Sequence, residues 1–366
     1  MHVFCPDICH CGSRKITILE PMNEAVMLGI MSGTSLDGVD LALCRLSRNP
    51  DRYEILKAET VEYNSSWIEK LKQAEHCSGV ELIQLHREYG NFLGKLAKAF
   101  VGAETVDAVA SHGHTIFHNP AQGLTYQLGC GAELAAASGF STICDFRITD
   151  VAHGGQGAPL VPAGDATLFS EYNYCLNLGG FINVSYDDSG KRIAFDIAPM
   201  NYVLNRIAQR EGKNFDEGGK FAASGKLNER LLAQLNSLSY YAAPAPKSLG
   251  REWVEKEIFP LLSNEISTSD ILHTFSVHAA EQTAKYLNQK GTVLVTGGGA
   301  YNSFFIHELQ KRSAAEIFLP EDRLINFKEA LIFAWLGFLR LRNENNALAS
   351  VTGARRDSCG GAIFTA

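Results

Sequence analysis

The sequence predicts an α/β protein made of two similar units that face each other across a cleft. Three observations carry this expectation. The chain has 366 residues, enough for two domains at roughly 100 to 200 residues each. Each half reads as three strands followed by alternating helix and strand. In each half a glycine-containing turn separates the first strand from the second. No short-period repeat is visible, so the duplication is one of pattern.

In the first half, strand-like runs cover Val26–Met31, Val39–Leu46 and Tyr53–Tyr63. Helical spacing follows over Ser66–Ala74 and Leu82–Phe100. A strand in "VDAVASHG", a small-residue helix in "GAELAAASG" and a strand in "STICDF" complete this half. The second half opens on "YCLNLGGFINVSYDD", which is strand, turn and strand, and "KRIAFDIAP" is its third strand. Helices are expected at Tyr202–Gln209, Val277–Asn288 and Ser303–Lys311, with the buried strand "TVLVTGGG" before the last of them. The amphipathic run "FKEALIFAWLGFLRLR" predicts a final long helix.

Composition narrows the function classes. The chain is 46% hydrophobic and 20% charged, with a net charge of -7. That balance argues against nucleic acid or an anionic membrane as partner. No apolar run reaches the roughly 20 residues that cross a bilayer, so a soluble, cytoplasmic protein is expected. Nine cysteines are an odd number, and Cys44, Cys130, Cys144 and Cys175 lie in apolar segments, as buried thiols in a reducing compartment do. The N-terminal "CPDICHC" gathers Cys5, Cys9, His10 and Cys11, but no second ligand pair follows at zinc-finger spacing. Residues 1–25 read as a disordered or non-native extension, too thin in apolar residues for a secretory signal.

Three glycine-rich turns carry the chemistry. In Gly33–Asp40 the glycines admit close backbone approach, and Thr34 and Ser35 add hydroxyl donors. Asp37 and Asp40 accept only, so they suit an anion through a bridging Mg²⁺. The same segment also reads as a plain hairpin whose Asp-Gly supplies turn geometry. Asn177–Asn183 offers an equivalent turn from the second half, and Val295–Asn302 places a GGG junction before a helix N-terminus. Asn302 stands where a dinucleotide fingerprint needs its third glycine. No P-loop motif occurs.

Polar stretches lie between the turns. "SHGHTIFHNP" holds His112, His114 and His118, expected to hydrogen-bond a polar ligand or to be satisfied structurally. "CDFRITDVAHGGQGAPLVPAGD" supplies Asp145, Arg147, Asp150 and Gln156, a set suited to an acidic sugar or to a salt-bridged surface loop. Asp196 ends an apolar strand, where partial desolvation would tune a general base. Glu329 opens the last helical run, and each acid also reads as one answering a helix dipole.

The order of "GIMSGTSLDGVD", "SHGHTIFH", "DFRITDVAHGGQGAPLVP", "LNLGGFINV", "FDIAPMN", "AASGKLN", "PKSLGREW", "VTGGGAYN" and "SVTGA" resembles that of anhydro-N-acetylmuramic acid kinases over about residues 27 to 366. The resemblance implies the actin/sugar kinase/Hsp70 type of fold, two ribonuclease H-like domains around a central nucleotide cleft. It also implies opening of 1,6-anhydro-N-acetylmuramic acid by water and phosphorylation of O6 by ATP with Mg²⁺, in peptidoglycan recycling. By motif, Gly33, Thr34, Ser35, Leu36, Asp37, Gly38, Val39 and Asp40 would form the first phosphate loop, with Asp37 in the metal shell. Asn177, Gly179, Gly180 and Asn183 would form the second, and Gly297, Gly298, Gly299 and Asn302 the adenosine loop. Asp196 would activate water and Glu329 would hold the sugar. His112, His114, Asp145, Arg147, Asp150, Gln156 and Asn201 would complete the sugar side. The expected division is residues 26–165 with 350–366 in one unit and 166–349 in the other. The expected partners are ATP and the anhydro-muramyl sugar, with a homodimer as a candidate assembly.

Three departures from the family pattern stand out. Met200 replaces a glycine beside Asn201 and is expected to crowd phosphate or sugar. His114 stands where glutamine is usual, and Gly164 where a large residue is common. They motivate two alternatives, a kinase for a different anhydro or amino sugar and a non-catalytic wall-fragment binder of the same fold.

Overall fold

The computed structural model describes residues 22–33 and 36–366. The N-terminal cysteine cluster and the Thr34–Ser35 pair named above lie outside the described residues.

Two sheets of matching order organise the chain. In the first, β1 (Glu24–Met31), β2 (Gly38–Ser47) and β3 (Arg52–Glu62) form an antiparallel meander. β4 (Ala108–Ser111) pairs with β1 in parallel. β5 (His114–Asn119) and β6 (Leu124–Leu128) form a separate hairpin, which the polar character of "SHGHTIFHNP" had hidden. β7 (Thr142–Cys144) then continues the first sheet beside β4. In the second sheet, β8 (Tyr174–Leu178), β9 (Phe181–Asp188) and β10 (Lys191–Pro199) repeat the meander. β11 (Thr292–Thr296) and β12 (Glu316–Phe318) extend it in parallel. β13 (Ala362–Phe364) returns to the first sheet and pairs with β7. The orders are β3-β2-β1-β4-β7-β13 and β10-β9-β8-β11-β12. Counted from its own first strand, each sheet thus runs third, second, first, fourth, fifth, with β13 added as a sixth strand on the first, in keeping with the two ribonuclease H-like units expected.

The central strands are apolar on both sides because helices cover both faces. On one face of the first sheet, Leu28, Ile30, Leu41 and Leu43 meet Tyr89, Leu93 and Phe100 of the helix Gly79–Val101. On the other, Met27, Ala42, Cys44 and Ala110 meet Leu331, Phe333, Trp335 and Phe338 of the helix Asp322–Leu341. The same layer takes in Cys175 of β8 and Leu294 of β11, so this helix is packed between the two sheets. A side chain on Gly29 would put its Cβ 1.8 Å from the Ala330 carbonyl oxygen, so only glycine lets β1 approach the helix this closely. Residues 322–341 pack mainly on β1, β2 and β4, with a smaller contact to β11.

The second core lies around β8–β10 and the helix Thr268–Ala284. Cys44, Cys144 and Cys175 are buried thiols as expected, whereas Cys130 is only half-buried. Burial pushes the Cys175 thiol up to about 11. No disulfide occurs among the described residues. No helix among them is long and apolar enough to cross a membrane.

Candidate active site

Between the sheets opens a cavity of about 770 Å³. Its walls come from both units: Met31 at the end of β1, Arg147, Gln156 and Leu160 from the first, and Asn177, Asn183 and Asp196 from the second sheet. Lys328, Glu329 and Phe333 of the intervening helix close it, with Ser350–Gly353 at the rim.

Asp196 sits where β10 changes register against β9, between Asp196 and Ala198. Its backbone is tied down on both sides. Its N–H donates to the Lys247 carbonyl at 3.0 Å, and its own carbonyl accepts from the Tyr240 hydroxyl at 2.6 Å. Oδ2 accepts from the Leu249 N–H at 2.9 Å. Burial raises the carboxyl above its ordinary range, and the Leu249 hydrogen bond partly opposes that shift. The helix Asn201–Ala208 begins five residues later, so the acid is held by the 247–249 segment, not by a helix dipole.

Glu329 lies in the third turn of the helix Asp322–Leu341 and not at its start, which removes the dipole reading. Burial raises its carboxyl, and the nearby Asp40 charge adds to this. Lys328 and Arg147 pull the other way, while Asp165 pushes it up again. The acid therefore stands among charges supplied by four separate segments.

Arg147 is the best-fixed cation on the wall. Its Nε and Nη2 lie 3.0 and 2.8 Å from His112 Nε2, and Nη1 donates to the Gly157 carbonyl at 2.7 Å. Arginine has only donors, so His112 Nε2 must accept, and its Nδ1–H then donates to the Gly113 carbonyl at 2.7 Å. Burial and the adjacent guanidinium hold His112 well below its usual pKa, in keeping with a neutral ring. Burial lowers Arg147 itself to about 10. His112 thus orients Arg147 and does not itself line the cavity.

Several expected sugar residues have internal duties instead. Asp150 is fully buried and accepts from the Gly157 N–H and the Thr352 hydroxyl, each at 2.7 Å. It braces the loop and the C-terminal segment, and leaves no face for a ligand. Asp145 adopts a left-handed backbone (φ 60) and accepts from the Cys144 thiol at 3.4 Å, away from the cavity wall. His114 is buried beside Tyr89 and absent from the wall. Asn201 donates from Nδ2 to the Leu178 carbonyl at 3.1 Å, at the start of the β8–β9 turn.

The two glycine turns of the second unit converge. A Cβ on Gly297 would meet Asn177 Oδ1 at 2.6 Å, so the GGG junction lies against the β8–β9 turn. Asn177 and Asn183 from that turn reach the cavity. Asn302 is a helix cap, accepting from the Phe305 N–H at 3.0 Å, so its side chain is committed. In the first turn, Leu36 is left-handed (φ 62), and Asp40 accepts from the Thr60 hydroxyl at 2.6 Å. Burial raises the Asp40 carboxyl, with Thr60 opposing and the Asp37 charge adding to the rise.

The three departures are explained by packing. Met200 is fully buried in the second core, and a Cβ on Gly299 would come within 2.8 Å of its Sδ and Cε. It fills the space beneath the GGG turn and does not crowd the sugar side. A Cβ on Gly164 would lie 2.8 Å from Ile332, so this glycine lets the helix Val161–Leu168 pack against the long helix. His114 is core.

Sequence reasoning passed over Lys328, Asp165, Lys247 and Thr352. Lys328 had a signal: it interrupts the apolar stripe Leu324, Leu331, Ile332, Trp335 at helical spacing.

Two sheets of the same order, closing on one acid-bearing cavity edged by glycine turns, define a protein of the actin/sugar kinase/Hsp70 class. Comparison with known sequences narrows it further. The family model described as anhydro-N-acetylmuramic acid kinase matches residues 25–366. The chain is 32% identical to the enzyme of that name from Hydrogenovibrio crunogenus, over 92% of this chain and 97% of the relative. It is 35% identical to the Haemophilus influenzae relative, over 94% and 98%, and 33% to that of Xylella fastidiosa, again over 94% and 98%. The chain belongs to the anhydro-N-acetylmuramic acid kinase family.

Proposed function

We propose that this chain phosphorylates 1,6-anhydro-N-acetylmuramic acid with ATP as donor, opening the anhydro bridge with water. The observation that carries the reading is the placement of Asp196 and Glu329 on one cavity, from the second sheet and from the helix packed on the first. Asp196, fixed at Oδ2 with its pKa raised, suits a base that takes a proton from water as the water oxygen bonds to the anomeric carbon. The bond from that carbon to O6 breaks, and O6 attacks the γ-phosphorus as ADP leaves. Atoms balance as sugar, water and ATP giving N-acetylmuramic acid 6-phosphate and ADP. Arg147, held in place by His112 and the Gly157 carbonyl, suits the acidic side of such a sugar. The turns at Gly33–Asp40, Asn177–Asn183 and Gly297–Asn302 suit the nucleotide.

Mg²⁺ fits the donor set of the first turn: Asp37 and Asp40 are hard oxygen donors, and the Asp37 charge adds to the rise of the Asp40 carboxyl. The ion would be held from Asp37 and would neutralise phosphate charge. The chain's own contribution is to align acid, sugar and phosphate, so positioning supplies the catalysis.

Met200 and His114 had motivated a different sugar, and neither reaches the cavity wall. The test is sugar-dependent ADP release with the product identified by mass, gaining both phosphate and water. Absence of sugar-dependent ADP release from the folded protein would refute the proposal.

A further inference from the structure

We propose that the buried ion pair between Lys328 and Asp165 is a clasp joining the two units at the cavity floor, and that it positions Glu329 toward the sugar. The proposal rests on the kinase reading above and deepens it by assigning Lys328 and Asp165 a role on the sugar side.

The pair spans three structural layers. Lys328 projects from the helix Asp322–Leu341, which packs on the first sheet. Its Nζ lies 2.7 Å from Asp165 Oδ1, with both side chains nine-tenths or more buried. The contact is an ion pair without hydrogen-bond alignment at that oxygen. Asp165 Oδ2 accepts from the Ser185 hydroxyl of β9 at 2.5 Å. Ser185 Oγ accepts in turn from Arg192 Nη2 of β10 at 2.8 Å. One carboxylate on the short helix Val161–Leu168 is therefore bonded to the second sheet and paired with a cation on the first unit's helix.

The location gives the clasp its consequence. Asp165, Ser185 and Lys328 all line the cavity, and Glu329 is the next residue along the helix. Rotation or sliding of that helix would carry Glu329 with it. Burial would by itself lower the Lys328 ammonium, but Asp165 holds it above its ordinary range, so the ammonium stays charged at neutral pH. A buried pair of this kind adds little net stability over an apolar pair, whereas losing one partner strands a charge. Its contribution is geometric: a short, buried link between the units where an apolar contact would allow slip.

The experiment compares Lys328→Met, Asp165→Asn and the double variant with the wild-type protein. Wild-type turnover of the anhydro sugar first decides the kinase reading independently. Each single variant should lower the thermal midpoint, and the double variant should recover part of it, because Arg192, 4.0 Å from Asp165 Oδ2, then keeps a buried charge without its carboxylate. The recovered double variant should still show kcat/KM for the sugar about 10- to 100-fold below wild type, with KM for ATP unchanged. A folded double variant with wild-type kcat/KM for the sugar, or with equal losses toward both substrates, would overturn the clasp. Should the double variant fail to fold, Ser185→Ala decides, because it removes the Ser185 hydroxyl's bonds to Asp165 and from Arg192 and leaves the Lys328–Asp165 pair in place. A several-fold rise in sugar KM supports the clasp, and an unchanged value overturns it.

Discussion

Replacing His114 by glutamine should make the protein markedly more acid-resistant. The imidazole is 4% exposed, and its Nδ1 has no hydrogen-bond partner among the described residues. Burial lowers its pKa to about 4, against about 6.5 in an unfolded chain. A histidine with a depressed folded pKa refuses a proton that the unfolded chain accepts. Stability is therefore lost as pH falls from about 6.5 toward 4, and levels off once both states are protonated. The full loss from this one group is about 3 kcal/mol, of which about 2 kcal/mol has gone by pH 5. His278, fully buried and lowered to about 3, acts in the same direction, as does His112. The wild-type slope is thus steeper than His114 alone would give. Urea unfolding of wild type and His114→Gln at pH 7 and pH 5 measures the difference. Each protein is compared with itself, so any constant packing change in the variant cancels. The variant should lose about 2 kcal/mol less than wild type between the two pH values. Equal losses would show that His114 is protonated in the folded state and that its burial has been misjudged.

Three further outcomes follow from the site. Asp196→Asn should fold normally and lose about 10²- to 10⁴-fold in kcat. Because burial raises the Asp196 carboxyl, the acid limb of the wild-type kcat/KM profile should fall above the ordinary carboxylate range near 3.9; a profile flat down to pH 4 would contradict this. Arg147→Lys cannot reproduce three fixed donors to His112 and Gly157, so sugar affinity measured by calorimetry should drop about tenfold or more. Met200→Ala should cost about 2 to 5 kcal/mol of stability through a cavity in the second core, with sugar KM unchanged; a shifted KM at unchanged stability would return Met200 to the sugar side.

The legible parts of the chain were those whose signals are local. A strand run, a glycine turn and a second strand lie within about twenty residues, so the paired meanders and the turns between them can be read without knowing their neighbours. Asp196 and Glu329 were legible as candidates because both sit beside apolar runs. What misled was the assignment of polar residues by type. Asp150 has the composition of a sugar ligand, yet it is consumed by Gly157 and by Thr352, 202 residues away. His112 is a similar case, since its partner Arg147 fixes its tautomer across 35 residues. The β5–β6 hairpin escaped because its alternation is broken by histidines and by a register shift between Thr115 and Phe117.

The sequence by itself determined that this is a duplicated α/β chain with three glycine turns and two candidate acids, and its motif order carried the resemblance to the sugar-kinase type. Periodicity and turn composition act over a few residues and survive without tertiary context. Only the tertiary structure decided which polar groups face the cavity and which are spent inside the protein. It also decided that the last long helix lies between the sheets, bringing Lys328 to Asp165 and Glu329 to the floor of the cleft. The physical reason is that a buried polar group must find its partner wherever the fold supplies one, and the position of that partner along the chain is set by packing.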